Sequence, residues 1–447
     1  MKTLETKRLT NAQTLALGFC LIILFGACLL SLPISSRDGQ FTPFVDALFT
    51  SASATCVTGL VVVDTFTKWN LLGQIIILLE IQIGGLGFMT VGIGFAMMLR
   101  QKIGLWMRGT LQESVNMDKI GGVVRLTKKV IRGTIVIEGL GAVILAIRFM
   151  KDFPWYQAIY FGIFHSVSAF CNAGFDLMGG IEKYGSFVPY QTDIVINIVL
   201  MLLITIGGIG FLVWDDVYEN KWHYRRYRLH TKIVLSTSAV LVFGGALLFY
   251  ILEKDGLAYA GMSSKEKVLA AFFNSVTART AGFNTTDTML LKPGSKLLTM
   301  FLMFIGGSPG STAGGIKTTT LFVLVLSVIA TLRHKSMNAF KRRINDEVVR
   351  KATVVLSLNL VLVMVSMIVI SANQSLPSMS LAFEIISAIA TVGMSTGITR
   401  NLGVLAKIII ITLMYLGRVG SMTFALSFLG KNRPSKIKYP VENVNVG

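Results

Sequence analysis

Runs of about 20 apolar residues recur along the chain, among them 15–32, 71–98, 194–214 and 354–372, and each is long enough to cross about 30 Å of hydrocarbon. A soluble core cannot use so many. With 53% hydrophobic and only 15% charged residues, against about 25% charged in ordinary globular chains, the sequence reads as a polytopic, all-α integral membrane protein. Soluble enzymes, disordered chains and secreted disulfide scaffolds are excluded together. The four cysteines, Cys20, Cys28, Cys56 and Cys171, have neither a zinc spacing nor a disulfide pattern. Run 15–32 is too long for a signal-peptide core, and no small-residue cleavage site follows it.

The formal net charge of +19 would suit a nucleic-acid binder if it were clustered on a soluble face. It is not. Segments 1–10, 100–132, 215–232, 331–351 and 430–447 hold 27 of the 42 Lys and Arg residues, whereas Asp38, Asp64, Asp176, Glu182 and Asp287 fall in the alternating connections. By the positive-inside rule the basic set is cytoplasmic. Both termini are then inside and the number of spans is even, read here as eight. The basic face also suits anionic lipid or an acidic soluble partner, and no nucleic acid is expected.

Four stretches end alike: Ser53-Ala-Thr-Cys-Val-Thr-Gly59, Ser168-Ala-Phe-Cys-Asn-Ala-Gly174, Val276-Thr-Ala-Arg-Thr-Ala-Gly282 and Ser387-Ala-Ile-Ala-Thr-Val-Gly393, their glycines 115, 108 and 111 residues apart. Each closes a short apolar stretch opened by a helix-start signal. The signals are Pro43, Pro154 and Pro377, and in the third case Ser263 with Glu266 three residues on, a capping box. Span, short helix, glycine loop, span is thus written four times, over 11–100, 120–215, 231–331 and 349–430, before a cytoplasmic tail at 431–447. A helix of about 12 residues cannot cross a bilayer, and its glycine loop is tolerated at membrane depth only when buried or lining water. Four such units around an axis aim partly negative helix C-termini and glycine-loop carbonyls at one point. The lining favours a cation.

These loops, the Ile-Gly-Gly-Leu-Gly-Phe at 83–88 and its echo at 206–211, the segment Gly306-Gly-Ser-Pro-Gly-Ser-Thr-Ala-Gly-Gly-Ile-Lys317, and Gly417-Arg-Val-Gly420 resemble the Trk/Ktr/HKT superfamily of potassium transporters, most closely the bacterial Ktr membrane subunit. The resemblance covers nearly the whole chain. It implies four span, pore-helix, span units around a pseudo-fourfold pore, K+ as the transported ion, a homodimer in the cell membrane, and a cytosolic nucleotide-binding ring of Rossmann-type regulatory subunits. No organic cofactor is implied for this chain. Carried over, the selectivity filter is Val57, Thr58, Gly59, then Asn172, Ala173, Gly174, then Thr280, Ala281, Gly282, then Thr391, Val392, Gly393. Only the glycines recur in all four, so some Na+ passage is expected. In plant relatives a serine at the first glycine goes with sodium transport, and Gly59 therefore favours K+. The implied gate is an intramembrane loop, Gly306, Gly307, Gly310, Ser311, Thr312, Ala313, Gly314, Gly315 and Lys317, with Arg418 on the axis below the filter.

Residues 306–317 must break the span around them, because five glycines and Pro309 cannot sustain a helix. They nearly spell a phosphate loop, but Ile316 precedes Lys317 and the context is apolar. Among ionisable residues at membrane depth, Arg279 and Glu384 are expected to pair at the outer mouth, while Glu80 and Glu138 read as interhelical contacts. A rival reading is a sodium-coupled or sodium-transporting carrier. Inverted repeats do not fit, since all four units share one orientation. A membrane enzyme would need a His, Cys or Asp constellation, and three of the four histidines, His223, His230 and His334, fall in cytoplasmic segments.

Overall fold

The computed structural model describes residues 10–99, 104, 109–110, 112, 122–221, 223–420 and 442. The end of the fourth repeat beyond 420, most of the tail at 431–447 and much of the basic segment 100–132 lie outside the described residues.

Capping sets the helix starts. Thr10 and Gln13 close a capping box on α1 (Asn11–Ser31), and Pro43 stands immediately before α2 (Phe44–Thr55). Asn70 accepts from Gly73 N to open α3 (Leu71–Leu86), which is followed by α4 (Phe88–Met98). Next come α5 (Val123–Phe149), α6 (Trp155–Phe170) after Pro154, α7 (Ile194–Ile209) capped by Asp193, and α8 (Phe211–Asn220). Then α9 (Leu229–Glu253) leads to α10 (Ser264–Thr277), where Ser263 and Glu266 form the expected box, and to α11 (Pro293–Phe304) and α12 (Thr318–Leu332). A basic hairpin, β1 (Asn338–Ala339) and β2 (Arg342–Arg343), precedes α13 (Asp346–Asn373), α14 (Ser378–Ile389) and α15 (Val404–Val419).

Helices α1, α5, α9 and α13 are long and apolar enough to span a membrane. At most 39% of the apolar window of any of them is buried in the protein, and Phe25, Leu140, Phe243 and Ile368 are all more than 60% exposed. An apolar surface of that extent is stable only against lipid. The protein is a multi-pass membrane protein.

Runs 71–98 and 194–214, expected as single spans, are instead each broken. The chain turns by 97° between α3 and α4 and by 93° between α7 and α8. The breaks fall at Gly87 (φ +81) and Gly210 (φ +104), a conformation that strains any residue with a Cβ. The span around residues 306–317 breaks as expected, α11 ending at Phe304 and α12 starting at Thr318.

Contacts between helices close a ring. The short helices α2, α6, α10 and α14 pack on the long helices preceding them, α1, α5, α9 and α13, and also on the helices that follow them. Each following helix then reaches the next short one: α3 packs on α6, α7 on α10, α11 on α14 and α15 back on α2.

Candidate functional site

Where the four short helices end, four loops of one conformation meet. The first residue of each, Val57, Asn172, Thr280 or Thr391, lies in the left-handed region with φ between +52° and +68°, and the third, Gly59, Gly174, Gly282 or Gly393, returns to it with φ between +69° and +93°. Hydroxyls of the last helical turn hold the loops in place. Ser53 and Ser387 Oγ accept from Gly59 and Gly393 N at 3.1 Å, while Ser168 and Thr277 donate to Phe175 O and Phe283 O at 2.7 and 2.6 Å. In three of the four motifs the serine is thus the tether of its loop, and in the third motif Thr277, beside Val276, takes that part.

The glycines touch in a cycle. A Cβ on Gly59 would stand 2.5 Å from Ala173 O, on Gly174 2.6 Å from Ala281 O, on Gly282 2.5 Å from Val392 O, and on Gly393 2.1 Å from Thr58 O. Four backbones therefore converge with the carbonyl of each middle residue against a neighbouring loop, and no side chain separates them. Such a ring of carbonyl oxygens can replace the hydration shell of a cation.

Behind the ring, side chains of the short helices clamp the outgoing chain. His165 Nε2 accepts from Leu177 N at 3.0 Å, Asn274 Oδ1 accepts from Thr286 Oγ1 at 3.0 Å, and Glu384 accepts from Ser395 Oγ at 2.8 Å and from Thr399 Oγ1. The expected Arg279–Glu384 pair does not form. Arg279 points to α9 and donates to Ser238 Oγ at 3.2 Å, so each side chain bonds within its own quarter of the ring. Sequence reading missed His165 and Asn274, because a lone polar residue on a short apolar helix carries no pattern. Glu80 accepts from Ser51 Oγ at 2.5 Å and Glu138 from Gln82 Nε2 at 3.2 Å, both contacts between helices.

On one side of the ring opens a cavity of about 370 Å³, lined by all four glycines, by the acids Asp64, Asp176, Glu182 and Asp287, and by Lys183 and Arg400. Asp176 lies in the connection between α6 and α7. Burial pushes its carboxyl up to about 7, the nearby Asp64 charge adds to the rise, and hydrogen bonds from Met178 N and Ser186 hold it back.

On the other side lies loop 306–317, seated on the break between α7 and α8. Ser308 N donates to Gly208 O at 3.0 Å, Thr312 N to Gly207 O at 3.3 Å, and Phe211 N to Gly310 O at 2.7 Å. Two basic side chains grip its carbonyls. Lys317 Nζ donates to Ala313 O and Gly314 O at 2.8 and 3.2 Å, and Arg418 donates to Thr312 O, to Gly84 O and, at 2.8 Å, to Gly85 O. The loop reaches the first residues of three glycine loops. A Cβ on Gly306 would meet Thr280 Cγ2 at 3.1 Å, one on Gly314 would meet Thr391 Oγ1 at 2.0 Å, and Thr312 bonds to Asn172.

Residues 21–436 match the family of cation transport proteins designated TrkH. The chain belongs to that family. The potassium/sodium uptake protein NtpJ of Enterococcus hirae is 43% identical over 100% of this chain and 99% of its own length. The Ktr system potassium uptake protein B of Bacillus subtilis is 41% identical over the same shares. Among solved structures, the potassium transporter TrkH of Vibrio parahaemolyticus superposes with a TM-score of 0.73 at 18% identity, covering 95% of this chain and 86% of that one, which shows a common fold. A TrkH-family chain is a cation transporter of the membrane. Its family is not a class of enzymes.

Proposed function

We propose that the chain is the ion-conducting subunit of a Ktr-type potassium uptake system, with eight spans and four pore helices around a pseudo-fourfold axis. The observation that carries this reading is the closed cycle of glycine loops. Helices α2, α6, α10 and α14 are the pore helices, and the filter is 57–59, 172–174, 280–282 and 391–393. K+ enters from the acidic cavity, sheds water in the ring, and moves down the membrane potential, which supplies about 2.3 kcal/mol per charge per 100 mV. Loop 306–317 and Arg418 form the gate on the cytoplasmic side. Both termini are cytoplasmic, and a homodimer in the cell membrane carries a cytosolic nucleotide-binding regulatory ring. The family match and the Ktr and NtpJ relatives support the substrate class.

Flux of K+, Rb+ and Na+ into liposomes holding the purified protein tests the reading. The expected order is K+ and Rb+ well ahead of Na+. Flux dominated by Na+ supports the sodium carrier instead, a reading kept in view by the potassium/sodium uptake relative.

The cavity supplies a pH test. The Asp176 charge is present above about pH 7 and lost as pH falls through that value. One charge acting at about 8 Å through water-like dielectric changes local cation concentration about twofold. Influx is expected to fall by that factor from external pH 8 to 6, and Asp176→Asn to remove the step. An identical pH profile in the variant separates Asp176 from ion entry.

The hairpin supplies a partner test. Lys341, Arg342 and Arg343 are all exposed, and an electrostatic interface weakens with salt. Neutralising the three is expected to impair capture of the regulatory subunit at low salt. Undiminished binding at every salt concentration confines them to topology and lipid.

A further inference from the structure

The loop at 306–317 meets the ring through one side-chain pair whose partners are 140 residues apart. Thr312, fully buried, donates from Oγ1 to Asn172 Oδ1 at 2.8 Å and lies 3.1 Å from Phe170 O, the last carbonyl of α6. Asn172 holds the position that Val57, Thr280 and Thr391 hold in the other loops. It is 1% exposed, with φ +59°, a left-handed turn that asparagine tolerates better than most residues. Its Nδ2 has no partner. With Nδ2 facing Thr312 the hydroxyl accepts from it and donates to Phe170 O, with Oδ1 facing it the hydroxyl donates to Asn172, and in both cases the Thr312 hydroxyl holds the Asn172 side chain. Nothing fits between these groups and α7. A Cβ on Gly207 would stand 2.0 Å from Phe170 O, 2.9 Å from Thr312 Oγ1 and 3.0 Å from Asn172 Oδ1.

A hydroxyl on the loop therefore sets the side chain of a ring residue. The backbone of Thr312 is held at the same time by Gly207 O on one side and Arg418 on the other, so the hydroxyl cannot stay on Asn172 if the loop leaves α7. Thr280 and Thr391 meet the loop by packing, and their hydroxyls have no partner.

We propose that Thr312 is a positioning residue for ion selection: while the loop is seated, its hydroxyl fixes Asn172 and holds the second quarter of the ring in shape. Gating movements of the loop that leave Thr312 on α7 keep this hold, so the conducting ring discriminates between K+ and Na+ only while Thr312 stays seated. This rests on reading the ring as the filter and 306–317 as the gate. Valine keeps the shape of threonine and removes the hydroxyl, while serine keeps the hydroxyl.

In liposomes, T312V is expected to lower the K+/Na+ permeability ratio about fivefold, the factor that corresponds to one ordinary hydrogen bond, with the ratio restored in T312S. N172L should lower it similarly, and the double variant T312V/N172L should go no further. If T312V does not assemble, T312A and the wedge G207A provide the same readout. A parental ratio in the variants that conduct, or independent addition of the T312V and N172L effects, overturns the proposal. So does a uniform loss of flux at constant ratio, which marks a structural role. A parent protein that carries no K+ at all refutes the reading of the pore itself and is recognised before any variant is compared.

Discussion

Replacing Arg418 by Gln, or shortening residues 310–314, is expected to increase K+ influx at least tenfold and to make it less dependent on the regulatory subunit. The guanidinium joins Thr312 O of the loop to Gly84 O and Gly85 O at the C-terminal end of α3. In the proposed gate it acts in two ways. As a fixed charge it opposes a cation by up to about 4 kcal/mol at 4 Å with an effective dielectric of 20, an upper limit of about a thousandfold in rate. Three carbonyls offset part of that charge, which is why the expected gain lies well below the limit. As a staple it pins the loop to the broken end of α3, and glutamine can replace at most part of a three-acceptor contact. Shortening the loop tests the physical block separately, because Arg418 keeps its charge but loses Thr312 O as an acceptor. Tracer influx with and without the regulatory subunit measures both effects. If each variant reaches the membrane as a dimer, conducts like the parent and remains regulated, the gate lies elsewhere.

The parts of this arrangement legible in the sequence are those that depend on local backbone chemistry repeated in register. Gly59, Gly174, Gly282 and Gly393 could be aligned because any other residue is strained at their backbone angles and crowded by the backbone beside them. Pro43, Pro154, Pro377 and the Ser263 box marked helix starts for the same local reason. The breaks at Gly87 and Gly210 were hidden by composition. Both sides of each break are apolar, and glycines in these stretches also serve close packing: a Cβ on Gly84 would stand 2.0 Å from Thr55 O. One motif therefore carries two physical roles, close packing and a break in the helix. The Arg279–Glu384 expectation failed differently. Opposite charge and similar depth were readable, but Ser238, Ser395 and Thr399 offered each group a nearer partner. A hydroxyl outcompetes a distant ion pair when both charges would have to leave their own quarter of the ring.

Gly59→Ser is expected to reduce K+ flux and to lower the K+/Na+ permeability ratio about tenfold, again measured in liposomes. At φ +89° a residue with a Cβ carries about 1–2 kcal/mol of backbone strain. Its Cβ would begin 2.5 Å from Ala173 O and 3.1 Å from Gly174 Cα, both backbone atoms of the neighbouring loop, so the carbonyl ring must widen or tilt. A ring fitted to K+ loses that fit, and the added hydroxyl supplies an oxygen able to approach a smaller ion. Position decides how much of this the protein survives. The same serine at Gly393 would place its Cβ 2.1 Å from Thr58 O and 2.9 Å from Gly59 Cα, a tighter approach to two backbone atoms at once. Gly393→Ser should therefore abolish transport where Gly59→Ser only alters it. An unchanged ion ratio in a well-folded Gly59→Ser protein removes Gly59 from the conduction path. Equal tolerance at Gly59 and Gly393 removes the closed ring, since the ring is what makes the clearances beside the two glycines unequal.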